Sequence, residues 1–271
     1  MKRNSAVILA AGMSLPAKIL LVLGIILLIV LVIAIVIGVV ASKNVKSMDA
    51  ALNGALAKIS KHYQVTEIPC EDYSEIKVYG VMKFHVNQYE VEGIGNLAVM
   101  KVNMGFMQMF TMVITPNDKN LPLVSADYMY IMGKRKSYLE FYDFVPTQDE
   151  PYKQLLSELE EVKKTYDELE DVEPTPAWYD SLKTVGIYKG GTSDNDTAMS
   201  QMMLDSLEVF LSHAETLPRL SDEQILSKAN LTREYSEGLI SKGGVSTDVF
   251  KKALGEDTTR DFFNRVLFKV S

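Results

Sequence analysis

Asp127 is the residue whose type and surroundings are best suited to acid–base chemistry. It lies in Val124–Met132, where side chains alternate with the period of two that is typical of a β-strand. That alternation predicts one face with Val124, Ala126, Tyr128 and Tyr130, and another with Ser125, Asp127, Met129 and Ile131. A carboxyl group on a mostly apolar strand face is costly to ionise without a partner, so Asp127 is a candidate for a raised pKa. The alternative is an aspartate near a strand end that caps a loop.

The composition argues against several other kinds of site. The chain has 271 residues and a formal net charge of −7, which argues against a nucleic-acid partner because phosphates are neutralised by clustered Lys and Arg. The single cysteine, Cys70, excludes an intrachain disulfide and a multi-cysteine metal site. The three histidines are widely spaced, which argues against a histidine-rich metal centre. We therefore expect no metal site built from cysteine or histidine clusters.

A long apolar run lies near the N-terminus. Residues Ile19–Ala41 contain no charge and no proline, and 23 helical residues are long enough to cross a bilayer. The competing interpretation is a cleaved signal peptide, but the apolar region of such peptides is only about 7–15 residues long. The sequence therefore predicts a leader over residues 1–18, a transmembrane helix over 19–41 that contacts the lipid bilayer, a juxtamembrane helix or linker over 42–62, and a soluble domain over 63–271.

The charges beside the span leave its orientation open. Lys2, Arg3 and Lys18 precede the span, while Lys43 and Lys46 follow it. The positive-inside rule then leans towards an external domain, by a margin of one charge. We therefore predict a single-pass membrane protein with the side of its domain undetermined.

The middle of the chain alternates with period two. The predicted strands are Ile76–Phe84, Gln88–Glu92, Leu97–Asn103, Met107–Thr115, Val124–Met132 and Ser137–Phe144. Gly, Asn and Pro residues separate them, and short connections join antiparallel neighbours because a parallel crossover needs a dozen or more residues. His85 is expected to be a half-buried structural histidine. An antiparallel meander is therefore predicted.

Helical periodicity surrounds this meander. Apolar residues at helical spacing predict a short helix over Met48–Tyr63, a helix that begins at Pro151, and a third helix across Met199–Leu211. A capping box at Ser221 predicts the start of a fourth helix. Two short helices follow, over Thr247–Leu254 and Thr258–Phe268. Residues 171–198, rich in proline, glycine and acids, are predicted to form a loop. Strands followed by helices that must cover them predict an α+β fold or a three-layer α/β/α sandwich with a central antiparallel sheet.

Two stretches resemble a known family. Met107–Pro146 contains MVITPNDKNLPLVSADYMYIMGKRKSYLEFYDFVP, and Val249–Val270 contains FKKALGEDTTRDFFNRVLFKV. Their order and spacing resemble the ferredoxin-dependent bilin reductases, the superfamily that includes red chlorophyll catabolite reductase, across about residues 60–271. The matching positions are Pro116, Leu121–Pro122, Ala126–Asp127, Asp143–Pro146, Leu254–Gly255–Glu256 and Val266–Leu267–Phe268.

The resemblance implies both a fold and a chemistry. It implies a linear tetrapyrrole held between the sheet and the C-terminal helices, and its reduction by electrons from ferredoxin without flavin or metal. Asp127 matches the central aspartate of the family and would donate the proton. The other residues assigned to ligand contact are Thr111, Ser125, Met129 and Asp143.

Two departures bear on activity. Thr111 stands where some members carry a histidine, and a hydroxyl cannot supply a proton near neutral pH. Gly243–Gly244 stands where many members carry an Asn-Asp pair, and Asp248 comes four residues later. Three hypotheses follow: a membrane-tethered bilin reductase, a tethered domain that binds a tetrapyrrole or another flat hydrophobic ligand without reducing it, and a structural or partner-binding protein without a pocket.

Overall fold

The fold is a three-layer α/β/α sandwich, as predicted. The computed structural model describes residues 14–80, 82–244 and 246–270; the predicted leader over residues 1–18 therefore lies mostly outside the described residues. The helices within these ranges are α1 (Leu15–His62), α2 (Glu150–Thr165), α3 (Asp196–Thr216), α4 (Asp222–Lys242), α5 (Thr247–Leu254) and α6 (Glu256–Phe262), followed by a π-helical turn (Phe263–Leu267).

One antiparallel sheet forms the middle layer. Its described strands are β1 (Val65–Ile68), β2 (Glu75–Val78), β3 (Met82–Val91), β4 (Gly95–Asn103), β5 (Met107–Pro116), β6 (Leu123–Ile131), β7 (Lys134–Tyr142), β8 (Glu170–Asp171) and β9 (Lys183–Thr192). They are ordered β1-β3-β4-β5-β6-β7-β9-β8, and β2 also pairs with β3. The predicted meander is confirmed from β3 to β7, with strand ends that differ from the prediction by a few residues.

Each face of the sheet has its own apolar core. One face, carrying Val124, Ala126, Tyr128 and Tyr130 of β6, packs against α1, α2 and α3. Phe110 and Tyr128 stack within this layer with ring centroids 5.1 Å apart. The opposite face carries Asp127 and is covered by α4, α5, α6 and the π-helical turn. The alternation of strand side chains between two cores therefore assigns Asp127 to the C-terminal helices.

The first predicted strand is divided in two. Tyr79 and Gly80 form a turn between β2 and β3 with φ angles of 51° and 72°, in the left-handed region that glycine adopts readily. The prediction of a single strand over Ile76–Phe84 is therefore wrong, and its second part continues through Gln88–Val91 as β3. His85 of β3 is exposed, not half-buried as predicted, because it points away from the core that holds Phe84 and Val86.

The predicted loop over residues 171–198 is also wrong. It contains β9, which pairs with β7 along its length, and the first turn of α3. Three glycines, at positions 186, 190 and 191, weaken the strand signal in the sequence. Pairing with β7 and the burial of Val185 and Ile187 override that weak propensity.

The apolar segment belongs to one unbroken helix. Helix α1 has 48 residues, and its apolar part is long and apolar enough to cross a membrane; none of that stretch is buried in the protein. Its C-terminal part instead contributes Met48, Leu52 and Ile59 to the core. The short helix predicted over Met48–Tyr63 is thus the continuation of the apolar helix and forms part of the folded domain.

Candidate functional site

The centre of the site is a row of side chains across three neighbouring strands. Strand pairing places Thr111 of β5 opposite Asp127 of β6, and Asp127 opposite Tyr138 of β7. Paired residues of an antiparallel sheet share a face, so all three point towards the C-terminal helices. The Thr111 hydroxyl donates a hydrogen bond to Asp127 Oδ1. A hydrogen bond from the neighbouring strand β5 therefore holds the Asp127 carboxyl group in position.

A second carboxylate lies one row further along the sheet. Glu140 of β7 pairs with Ser125 of β6 and is buried. Its oxygens accept hydrogen bonds from the hydroxyls of Tyr142 at 2.5 Å and Tyr188 at 3.1 Å. The Lys183 ammonium lies 2.7 Å from Glu140 Oε1. Glu140 thus has hydrogen-bond or ion-pair partners for both of its carboxyl oxygens.

Burial governs the electrostatics of Asp127. Removal from water raises the pKa of its carboxyl to about 6; the Thr111 hydrogen bond opposes this shift, and the negative charge of Glu140 adds to it. Asp127 retains some solvent-exposed surface because it lines a cavity that opens to solvent. The carboxyl can therefore change its protonation state near neutral pH, as a general acid must.

The neighbouring tyrosines remain hydrogen-bond donors. Burial raises the pKa of Tyr142 and of Tyr235 far above the usual range, and nearby carboxylates add to both shifts. The Tyr142 and Tyr235 rings pack against each other with their centroids 5.2 Å apart. An aromatic contact therefore connects Tyr142, which donates to Glu140 on the sheet, with α4 above it.

An inner cavity lies between this row and the helices. The sheet contributes Thr111, Ser125, Asp127 and Glu140, whereas the helical side is apolar and aromatic. The helical and C-terminal residues that line it are Tyr235, Leu239, Ser246, Thr247, Phe250, Phe263, Leu267 and Phe268. Its volume is about 110 Å³, smaller than the roughly 300–1,000 Å³ of pockets that bury drug-sized ligands. An apolar lid over a few polar groups suits a flat ligand with a polar edge.

An outer cavity adjoins the inner one. Both are lined by Asp127, Glu140, Tyr179 and Ser246, and the outer cavity has a volume of about 210 Å³. Met109 and Met129 form part of its floor, and Lys183 lies at its side. The two spaces together form one extended groove with Asp127 at their junction.

Four of the five predicted site residues line this groove. Thr111, Ser125 and Asp127 line the inner cavity, and Met129 lines the outer one. Asp143 lies outside the lining of both: its carboxylate accepts hydrogen bonds from Gln148 and, at 3.2 Å, from the Tyr152 hydroxyl. Asp248, four residues after the Gly243–Gly244 pair, is exposed and is not part of the lining of either cavity.

Several residues of the site were not identified from the sequence. Glu140 is not among the site residues assigned from the sequence, yet it is a buried strand residue that lines both cavities. A sequence signal for this residue exists, because the period of two places Glu140 on the same face of β7 as Tyr138 and Tyr142. Lys183, Tyr179 and Tyr235 come from segments whose position across the sheet has no local sequence signal. No group of three His, Cys, Asp or Glu residues suited to a metal ion occurs among the described residues.

The comparisons with known proteins reveal a shared fold. No family model matches the chain, and no curated protein matches it in sequence. Among solved structures, the crystal structure of phytochromobilin synthase from tomato in complex with biliverdin is similar, with a TM-score of 0.67 and 17% sequence identity. The match covers 81% of this chain and 82% of the tomato chain. This protein therefore has the fold of that synthase over most of its length.

Proposed function

We propose that this protein is a membrane-tethered, bilin-reductase-like protein that binds a linear tetrapyrrole and reduces it with electrons from ferredoxin. The observation that carries the proposal is Asp127, a carboxyl group with a pKa of about 6 at the junction of two cavities under an aromatic lid. The sequence resemblance to bilin reductases and the fold shared with a synthase that holds biliverdin support the ligand class.

The proposed reaction balances with two electrons and two protons for each reduced double bond. Ferredoxin supplies the two electrons one at a time, and protonated Asp127 gives one proton to the tetrapyrrole after each electron. The carboxylate that remains accepts the Thr111 hydrogen bond and is then reprotonated from solvent through the outer cavity. Glu140 keeps a negative charge nearby, which favours the protonated form of Asp127 between electron transfers.

The tether determines which electron donor is available. Helix α1 would cross the membrane through residues 19–41, and a reductase that uses ferredoxin requires the domain on the cytoplasmic side. Lys2, Arg3 and Lys18 precede the span and Lys43 and Lys46 follow it, so the charges lean by one towards an external domain, against this requirement. Protease protection of the domain in intact cells would determine its side.

A non-catalytic tetrapyrrole-binding domain is the second candidate. Thr111 is a hydrogen-bond donor to Asp127 at a position where some bilin reductases have a histidine, so one proton donor is missing. The groove would still hold a flat ligand. Such a binder could function on either side of the membrane.

The experiment is a two-stage absorption measurement on the full chain in detergent micelles. Biliverdin is added first and reduced ferredoxin second. A spectral change on each addition supports the reductase, a change only on the first supports the binder, and no change on the first contradicts both for this ligand.

The test of the mechanism is Asp127→Asn. We expect this variant to bind biliverdin and to lose reduction, because an amide cannot donate the required proton. Asp143→Asn is the matched control, since Asp143 is an aspartate at the end of β7 outside both cavities. Equal rates for wild type and Asp127→Asn would remove Asp127 from the mechanism.

A further inference from the structure

The exposed apolar side chains of the domain are concentrated at one end of the sheet. Outside α1, the large apolar residues exposed among those described are Tyr79 (61%), Phe106 (50%), Met132 (38%) and Leu226 (61%). Tyr79 is in the β2–β3 turn, Phe106 in the β4–β5 turn and Met132 in the β6–β7 turn. Only Leu226 lies elsewhere, near the start of α4.

Strand register places the three turns at the same level. Val78 pairs with Met82, Asn103 with Gln108, and Ile131 with both Met107 and Lys134, so each turn closes its hairpin at this end. The Met132 amide donates to the Phe106 carbonyl at 2.9 Å, which joins two of the turns directly. Hairpins two strands apart are separated by about 10 Å. Three apolar tips therefore form a row, which we call the tip row (Tyr79, Phe106 and Met132).

Helix α1 leaves the domain beside this row. Asn44 Nδ2 donates to the Met132 carbonyl at 3.0 Å and to Gln108 Oε1 at 2.9 Å. Asn44 is three residues after Ala41, a distance of about 4.5 Å along the helix axis. The headgroup layer of a bilayer is roughly 5–7 Å thick on each side of its hydrocarbon core. With residues 19–41 in that core, the tip row lies at the depth of the headgroups.

We propose that the tip row docks on the bilayer surface, so that the domain is held against the membrane as well as tethered to it. This inference rests on the membrane anchor of the proposed function. The continuity between the apolar part of α1 and the tip row selects lipid as the occupant, and aromatic side chains favour this interface. Lys43, Lys46 and Lys134 are exposed at the same end and can contact lipid phosphates, although Asp194 after β9 is also exposed there.

The test uses a tryptophan at the tip row as a depth probe. The full chain with Phe106→Trp is reconstituted into phosphatidylcholine vesicles with and without brominated acyl chains, which quench tryptophan on contact. Leu226→Trp is the matched control, because Leu226 is an exposed apolar residue distant from the tip row. The wild-type chain supplies the baseline from Trp178, which is subtracted.

We expect the Phe106→Trp emission to shift to the blue and to be quenched by brominated lipid, while the Leu226→Trp emission is not. Anchoring is measured separately, by co-flotation of each chain with vesicles after an alkaline wash. An anchored chain without quenching at position 106 would overturn the docking proposal and leave the anchor intact. A blue shift without quenching would contradict lipid docking and indicate that the tip row contacts a second copy of the protein. Failure to co-float would overturn both the anchor and the docking.

Discussion

Two carboxyl groups with different partners set the chemistry at the residue scale. Glu140 has an ammonium and two tyrosine hydroxyls within 3.1 Å, whereas Asp127 has the Thr111 hydroxyl. Glu140 is therefore held by several polar partners, whereas Asp127, whose pKa burial raises to about 6, is suited to gain and lose a proton.

The proposed role of Asp127 predicts a pH dependence of reduction. The protonated form is fully populated well below its pKa of about 6 and decreases as pH rises through that value. We expect the reduction rate to fall about tenfold for each pH unit above the pKa. The rate should be measured between about pH 5 and pH 8, with biliverdin absorption as the control for binding. A rate that rises through this range would contradict the role of proton donor.

Glu140→Gln tests the coupling between the two groups. The amide keeps an acceptor oxygen for Tyr142 or Tyr188 but removes the negative charge that raises the pKa of Asp127. We expect the midpoint of the pH–rate profile to move to lower pH and the rate at neutral pH to fall. Glu158→Gln is the control, because Glu158 pairs with His213 away from the groove. An unchanged midpoint would show that Glu140 does not influence Asp127.

At the scale of elements, one buried lysine joins the lid helix to the sheet. Lys228 of α4 is 2% exposed, and its ammonium donates to the Leu121 carbonyl at 2.6 Å and the Phe144 carbonyl at 2.9 Å. These carbonyls flank the start of β6 and the end of β7. Burial lowers the pKa of Lys228 to about 7. The position of α4 above the groove therefore depends on a group that titrates near neutral pH.

Lys228→Met should change the pH dependence of stability. Because the unfolded chain keeps this proton up to the ordinary lysine pKa, the Lys228 contribution to wild-type stability should rise from about pH 7 to about pH 9, by a few kcal/mol at most, below the pH at which tyrosines of the unfolded chain ionise. The variant lacks this proton and should lack the rise. Thermal unfolding in detergent, followed by near-ultraviolet circular dichroism, measures the difference. The exposed Lys242 of α4 provides the control, and Lys242→Met should keep the rise.

At the scale of the whole molecule, α1 is at once the proposed anchor and a core helix. Met48, Ala51, Leu52, Ala55 and Ile59 are buried against the sheet and α3. Full burial of side chains as large as Met, Leu or Ile contributes about 1.5–3 kcal/mol each, and a domain has only about 5–15 kcal/mol of net stability. The folded unit therefore begins within α1.

Two truncations distinguish this arrangement from a domain that begins after α1. A chain without residues 1–41 should fold and remain soluble, because the buried part of α1 is intact. A chain without residues 1–63 should lose cooperative unfolding, since the sheet face with Phe110 and Tyr128 would be uncovered. Solubility and thermal unfolding of the two chains provide the comparison. Cooperative unfolding of the shorter chain would place the core outside α1.

The sequence by itself determined the local features of this protein. The length and composition of residues 19–41 are enough to predict a spanning helix. The period of two along β4 to β7 predicts strands, and it places Asp127 on the other face of its strand from Val124 and Ala126. Capping chemistry likewise predicts the start of α4, where Ser221 and Gln224 exchange hydrogen bonds at 3.3 Å and 3.0 Å. These features depend on neighbours in the chain, whose spacing is visible in any sequence.

Only the tertiary structure decided what surrounds Asp127. Lys183 and Tyr188 come from β9, a strand whose three glycines conceal it, and Tyr235 comes from α4, more than a hundred residues along the chain from Asp127. Their contacts depend on sheet order and on packing between layers, which bring distant segments together without a local sequence signal. The same packing turned a predicted linker into the buried half of α1 and brought Tyr79, Phe106 and Met132 to one end of the sheet.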